Sequence, residues 1–127
     1  MKRAVLAIRN RLVLEAVANA LKRAGFFVEK SSSQETARIL TLTNALAATT
    51  LVMDVTRSGD GTFDMRMNTS REARRRNPEI KIALLCDNVS DESSAYKVKC
   101  AKEDGSIDAF FYESVPSDYL ADAIDAL

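Results

Sequence analysis

Histidine is absent from the 127-residue chain. That absence removes Ser-His-Asp and Cys-His nucleophile arrangements, together with every zinc site built on an imidazole. Net charge is absent as well. Eighteen lysines and arginines stand against eighteen aspartates and glutamates, which argues against an electrostatic grip on nucleic acid or on an anionic membrane. Cysteine is scarce: Cys86 and Cys100 are the two in the chain, with no Cys-x-x-Cys pattern. They read as reduced thiols of a cytoplasmic protein. Long apolar runs are also missing. Ala4 to Ile8, behind Lys2 and Arg3, is too short for a signal-peptide core of about 7–15 residues, and a membrane span needs about 20. What remains is 46% apolar and 28% charged, the balance of a soluble globular protein, expected as one domain over residues 1–127 without disulfide or metal support.

Hydrophobic periodicity divides the chain into five strand–helix units. Ala4 to Ile8 is a continuous apolar strand, and Leu14, Val17 and Leu21 give a helix ended by Gly25. Phe26 to Val28 opens a second strand that turns polar at Glu29 and Lys30, as an edge strand does. Ser32 and Glu35 have the spacing of a capping box for a helix with Ile39, Leu42 and Leu46 on its apolar stripe. Leu51 to Val55 is a third strand carrying one carboxylate, Asp54. A loop over 56–62 and a weakly amphipathic helix from Met65 to Arg76 follow, stopped by Asn77-Pro78. Ile82 to Cys86 is the fourth strand, with a helix from Ser90 to Glu103. Ile107 to Tyr112 is the fifth, and Pro116 starts a helix whose apolar face is Tyr119, Leu120, Ala123, Ile124 and Leu127.

Such alternation calls for an α/β fold: a doubly wound, five-stranded parallel sheet between two helical layers. Right-handed crossovers, with the polar-ended second and fifth strands at the edges, give the order 2-1-3-4-5. The functional cleft is then expected outside the carboxyl ends of the strands, with Ile8, Arg9, Asn10, Asp54, Cys86 and Glu113 around one pocket.

At this point the chain resembles the receiver domains of bacterial response regulators. The resemblance spans all five units. It rests on Leu-Lys-Arg-Ala-Gly-Phe over 21–26, Leu51-Val52-Met53-Asp54, Asp60-Gly61, Ile82 to Leu85 and Asp108 to Tyr112. It implies a (βα)5 three-layer sandwich in which Asp54 matches the aspartate that accepts a phosphoryl group from a histidine kinase. The other groups implied by the family are missing. Ile8-Arg9-Asn10 stands where an acidic pair holds magnesium, Cys86 where a serine or threonine binds the phosphoryl group, and Glu113-Ser114 where Lys-Pro follows the fifth strand. Phosphoryl transfer depends on metal and cationic donors to neutralise negative oxygens, so these exchanges remove most of the catalytic set.

The expected function is therefore a degenerate receiver, not an enzyme and without a cofactor or metal, acting as a cytoplasmic protein-interaction module in two-component or related signalling. The guanidinium of Arg9 is expected to pair with Asp54 in place of the metal. The resemblance implies partner docking or homodimerisation through the fourth helix, fifth strand and fifth helix, where Phe110, Phe111 and Tyr119 are the candidate interaction or switch aromatics. The alternative is a phospho-accepting receiver that uses Asp54 in an atypical pocket. A third class, a small enzyme using Asp54 with Asp87 or Glu113, lacks any sequence feature that specifies a substrate. Arg71, Arg74, Arg75 and Arg76 read as a solvated helix end, Gly59-Asp60-Gly61 as a turn, and Ser31 to Ser33 as a helix start.

Overall fold

The computed structural model describes residues 1–87 and 91–127. Five strands, β1 (Arg3–Ala7), β2 (Phe27–Lys30), β3 (Thr50–Asp54), β4 (Lys81–Cys86) and β5 (Ala109–Tyr112), alternate with α1 (Arg11–Arg23), α2 (Thr36–Leu46), α3 (Phe63–Arg76), α4 (Glu92–Glu103) and α5 (Ser117–Asp125). All strand pairings are parallel, in the order β2-β1-β3-β4-β5. The order and the edge positions agree with the sequence-based expectation.

Strand alternation sorts the apolar residues onto two faces. Val5, Ala7, Leu51, Met53, Ile82 and Leu84 pack with Ile39, Leu40, Met67, Ala73, Val98 and Ala101, so α2, α3 and α4 cover that face. Ala4, Leu6, Val52, Ala83, Leu85 and Phe111 pack with Val17, Leu21, Leu120 and Ile124 under α1 and α5. Gly25 closes α1 at a φ of 97°, a conformation that costs an L side chain about 1 kcal/mol or more.

Four local expectations change. The Ser32–Glu35 capping box does not form: Glu35 itself is the N-cap, without a side-chain cap bond, while Ser33 Oγ accepts the Glu35 N–H at 3.1 Å in a tighter local turn. Helix α3 begins two residues early, at Phe63, because Thr62 Oγ1 accepts the Met65 N–H. Residue Tyr119 does not join the apolar face of α5. It is 63% exposed, since the helix packs through the row formed by Leu120, Ala121 and Ile124 and turns the adjacent Tyr119 row outward. Leu127, expected on the same face, lies beyond the end of the helix at Asp125 and is exposed. Strand β5 starts at Ala109, as the Ile107 N–H is tied to Ala101 O at the end of α4. The expected start of α4 at Ser90 lies outside the described residues.

The loop after β3 is held by one close approach. The Thr56 N–H donates to Gly61 O at 2.8 Å, and a Cβ on Gly61 would lie 2.4 Å from Thr56 Oγ1. Gly61→Ala is expected to destabilise the fold by about 1–3 kcal/mol, the usual range for overpacking. Adding Thr56→Ala should recover part of the loss. Equal melting of Gly61→Ala and the unmodified chain in denaturant would show that the loop relaxes freely.

Candidate functional site

The strand ends form a cleft of about 390 Å³ whose lining includes Arg9, Asn10, Asp54, Arg57, Asp87 and Glu113. Four of the six expected positions thus meet there. The other two do not. Ile8 lines a neighbouring cleft. Cys86 packs into the core under α2, α3 and α4, its Sγ 3.7 Å from Phe111 O. Burial first, then Glu113, Asp87 and Asp91, pushes the Cys86 thiol up to about 11. It is a core thiol, without nucleophilic character at neutral pH.

Asp54 ends β3 with its side chain 2% exposed. A carboxylate this deep requires a charged partner and saturated oxygens. The expected partner was the Arg9 guanidinium, and here the structure differs. Arg9 contributes its backbone N–H to Oδ2 at 2.9 Å, while its side chain is turned to solvent. Strand β1 ends at Ala7 and the chain swings outward to start α1, so the main chain of Arg9, not its guanidinium, passes beside Asp54. Asn10 has a different task as well: its Oδ1 caps α1 by accepting the Leu12 and Val13 N–H groups at 3.0 and 3.2 Å.

The cation that meets Asp54 is Arg66, from the first half of α3, completely buried. Nη2 lies 3.0 Å from Asp54 Oδ1 and Nε lies 2.8 Å from Asp54 O. Nη2 also donates to Ala7 O at 3.0 Å and to Gln34 Oε1 at 2.5 Å. Two hydrogens on Nη2 serve three acceptors, so one is shared. Among the described residues Nη1 has no partner. Burial lowers the pKa of Arg66, and the Asp54 carboxylate opposes that shift. One guanidinium thus joins the ends of β1 and β3 to the loop between β2 and α2.

Sequence reasoning missed Arg66 because α3 is strongly polar and reads as a solvated helix. A signal was present. Thr69, Ser70 and Ala73 follow Arg66 at helical spacing, and all four are buried. A long cation on a stripe of otherwise small residues has room to reach under the sheet end. Arg74 also differs from the solvated reading: it binds Gly105 O, Ser106 O and Asp108, while Arg75 pairs with Glu72.

The candidate aromatics separate. Phe111 is buried in the core under α1 and α5, which removes it from any surface role. Phe110 is half-buried and packs edge-on against Tyr112, ring centroids 5.8 Å apart. Tyr119, with Tyr96 on α4, is exposed.

No protein-family model and no curated protein matches the chain. Solved structures do. The response regulator TrrA of Thermotoga maritima, in complex with Mg2+-BeF, is 17% identical, with a TM-score of 0.73 over 99% of this chain and 98% of that one. A CheY-like protein, TadZ, of Pseudomonas aeruginosa gives 16% and 0.72 over 99% and 98%. The orphan response regulator HP1043 of H. pylori gives 16% and 0.72 over 98% and 94%. The fold is that of response-regulator receiver domains. Identity at this level speaks for the fold alone.

Two measurements probe the site. Arg66→Ala should lower stability by about 3–5 kcal/mol, the range for breaking a buried pair from one side. Asp54→Asn in that background should recover part of it. Arg9→Ala keeps the backbone N–H and should stay within about 0.5 kcal/mol. Coupling of Arg66 to Asp54 below about 0.5 kcal/mol in a double-mutant cycle would refute the pair's importance. Glu113 titrates above the ordinary carboxylate range because burial, then Asp54 and Asp87, disfavours its charge. With its folded pKa raised, its contribution to stability is fully present below the unfolded value of about 4.3 and is lost as pH rises through the folded value. Glu113→Gln should therefore be more stable than the unmodified protein at neutral pH, the gap closing in acid. A gap independent of pH would contradict this assignment.

Proposed function

We propose that the chain is a degenerate receiver: a non-enzymatic protein-interaction module in bacterial two-component or related signalling, working without magnesium-dependent phosphorylation. The observation that carries this reading is the engagement of both Asp54 oxygens, Oδ1 accepting from Arg66 and Oδ2 from the Arg9 N–H. Phosphoryl transfer to a carboxylate needs an accessible oxygen, a cation that neutralises the incoming charge, and in-line positioning. At Asp54 the charge is already neutralised, by a cation fixed in the core behind it.

The donor set around Asp54 does not fit a divalent cation. Magnesium takes near-octahedral oxygen ligands, usually one or two carboxylates with several waters. Here Arg9 and Asn10 follow β1 in place of acids, Asn10 Oδ1 is engaged in capping α1, and Arg66 stands against the Asp54 carboxylate, although Asp87, Asp91 and Glu113 line the same cleft. Among the described residues no group of three acidic, cysteine or histidine side chains is placed to hold a metal. Cys86, facing the core, is withdrawn from an oxyanion role, and Glu113 brings negative charge to the cleft where a cation would be needed.

An interaction module requires a stable fold and a presented surface. Tyr96 on α4 and Tyr119 on α5 are 69% and 63% exposed, and they supply aromatic anchors of the kind that dominate protein interfaces. Tyr119 supports docking through α4, β5 and α5, by a signalling partner or by a second copy, while Tyr96 lines the groove between α3 and α4 with Phe63 and Met67. Phe110, packed against Tyr112, is assigned a fixed position and no switching role. Among the described residues no helix is long and apolar enough to cross a membrane, which agrees with a cytoplasmic module.

Treatment with acetyl phosphate or beryllofluoride in millimolar magnesium should leave the intact mass, the amide spectrum and the melting temperature unchanged. Stoichiometric phosphorylation that disappears in Asp54→Asn would overturn this reading in favour of a phospho-accepting receiver with an atypical pocket.

A further inference from the structure

Arg66 neutralises Asp54, so Arg9 is left with its side-chain charge unspent. Beside the Asp54 cleft lies a second cleft of about 430 Å³, between the end of β1, the start of α1 and the loop after β2. Arg9 stands on the wall between the two and lines both. Arg11 and Lys30 also line the second cleft, against a single carboxylate, Glu15. Glu15 is bonded to Lys30 at 2.7 Å, which balances that pair. Arg9 and Arg11 make no side-chain hydrogen bond or ion pair among the described residues. Over the lining of this cleft three cations stand against Glu15, and one of them, Arg9, is shared with the cleft that holds Asp87, Asp91 and Glu113.

The polar lining has the same bias toward donors. The backbone N–H groups of Ser32 and Gln34 have no protein acceptor among the described residues. The Gln34 side chain is oriented by Arg66: its Oε1 faces the guanidinium, because the NH2 group cannot accept from a cation. The NH2 is therefore the polar end that remains to bind something else. Helix α1, thirteen residues long, starts at this cleft with no acid in its first turn, its Leu12 and Val13 N–H groups already capped by Asn10. Leu14 and Ile8 provide an apolar part of the wall. The volume falls within the range of about 300–1,000 Å³ typical of small-molecule sites.

The geometry points to a binding site for a phosphate group, free or carried by a small molecule, held by Arg9 and Arg11 with Lys30, Ser32 and Gln34 as further donors. An acceptor-rich anion matches a donor-rich, cationic concavity, and arginine forks suit phosphate oxygens bidentately. The site is separate from Asp54: the anion would be bound, not transferred, and no covalent step is involved. This inference does not depend on whether Asp54 accepts a phosphoryl group.

The test is titration of the full chain with inorganic phosphate, with pyrophosphate and with AMP at constant ionic strength, followed by calorimetry and by amide chemical shifts, with sodium chloride as the control. Saturable binding is expected, with shifts centred on Arg9, Arg11, Ser32 and Gln34. Arg9→Gln combined with Arg11→Gln should weaken it by about tenfold or more without lowering the melting temperature, because both side chains are solvent-facing. Arg71→Gln with Arg75→Gln, at the other basic cluster, should leave it unchanged. Tighter binding of AMP than of inorganic phosphate assigns a phosphorylated small molecule, and equal binding assigns free phosphate. Failure to saturate at millimolar concentration, shifts centred on residues 71–76, or undiminished affinity in the Arg9/Arg11 double variant would overturn the proposal.

Discussion

The contact on which the strand-end region depends is the buried ion pair between Arg66 and Asp54. Two opposite charges taken out of water lose several kcal/mol of hydration each, and their attraction repays this only with good geometry and further hydrogen bonds. Arg66 has those bonds, to Asp54 O, Ala7 O and Gln34 Oε1. Each acceptor sits at the end of a different segment, so the pair acts less as a source of net stability than as a specification of how β1, β3 and the β2–α2 loop come together. The Thr36–Thr69 hydroxyl contact at 2.7 Å reinforces the same junction between α2 and α3.

Charge placement elsewhere at the sheet end follows from that pair. With Asp54 balanced from behind, by a cation reaching up through the core, the front of the site has no need of another. Arg9 and Arg57 can face solvent, and Glu113 can stand in the cleft as an acid whose charge is disfavoured by burial first, then by Asp54 and Asp87. Had the balancing cation come from the front, Arg9 would have been consumed and Glu113 would have gained a positive neighbour. The direction from which one guanidinium arrives thus sets the electrostatics of two adjoining clefts.

Most of the architecture was legible in the sequence because it rests on short-range patterns. Apolar pentads with strand alternation, a glycine after α1, and proline or asparagine at helix ends depend on neighbours within a few residues. The β2 edge could be read from Glu29 and Lys30, which no interior strand would bury. The site was less legible. Arg9 adjoins β1 in sequence, which made it the natural partner for Asp54, but β1 ends at Ala7 and the turn into α1 carries the Arg9 side chain away. Arg66 lies twelve residues beyond Asp54, on a helix whose polar composition hides a buried face of Arg66, Thr69, Ser70 and Ala73. Periodicity detects apolar stripes. It has no means of marking a stripe whose largest member is an arginine. Tyr119 failed for the related reason that a row adjacent to the packed one has the same spacing as the packed row.

An aspartate at position 54 also bears on function in a way the fold alone would obscure. In a receiver-like sheet it invites the reading of a phospho-acceptor, yet its geometry supplies a complete structural reason for a carboxylate there. Asparagine would keep an oxygen for the Arg9 N–H but leave the fully buried Arg66 charge without a counter-ion, and an apolar residue would leave both donors unsatisfied. Removing one member of such a pair typically costs about 3–5 kcal/mol, a large share of the 5–15 kcal/mol that holds a domain together. A carboxylate at this place is thus required by Arg66, whether or not it ever meets phosphorus.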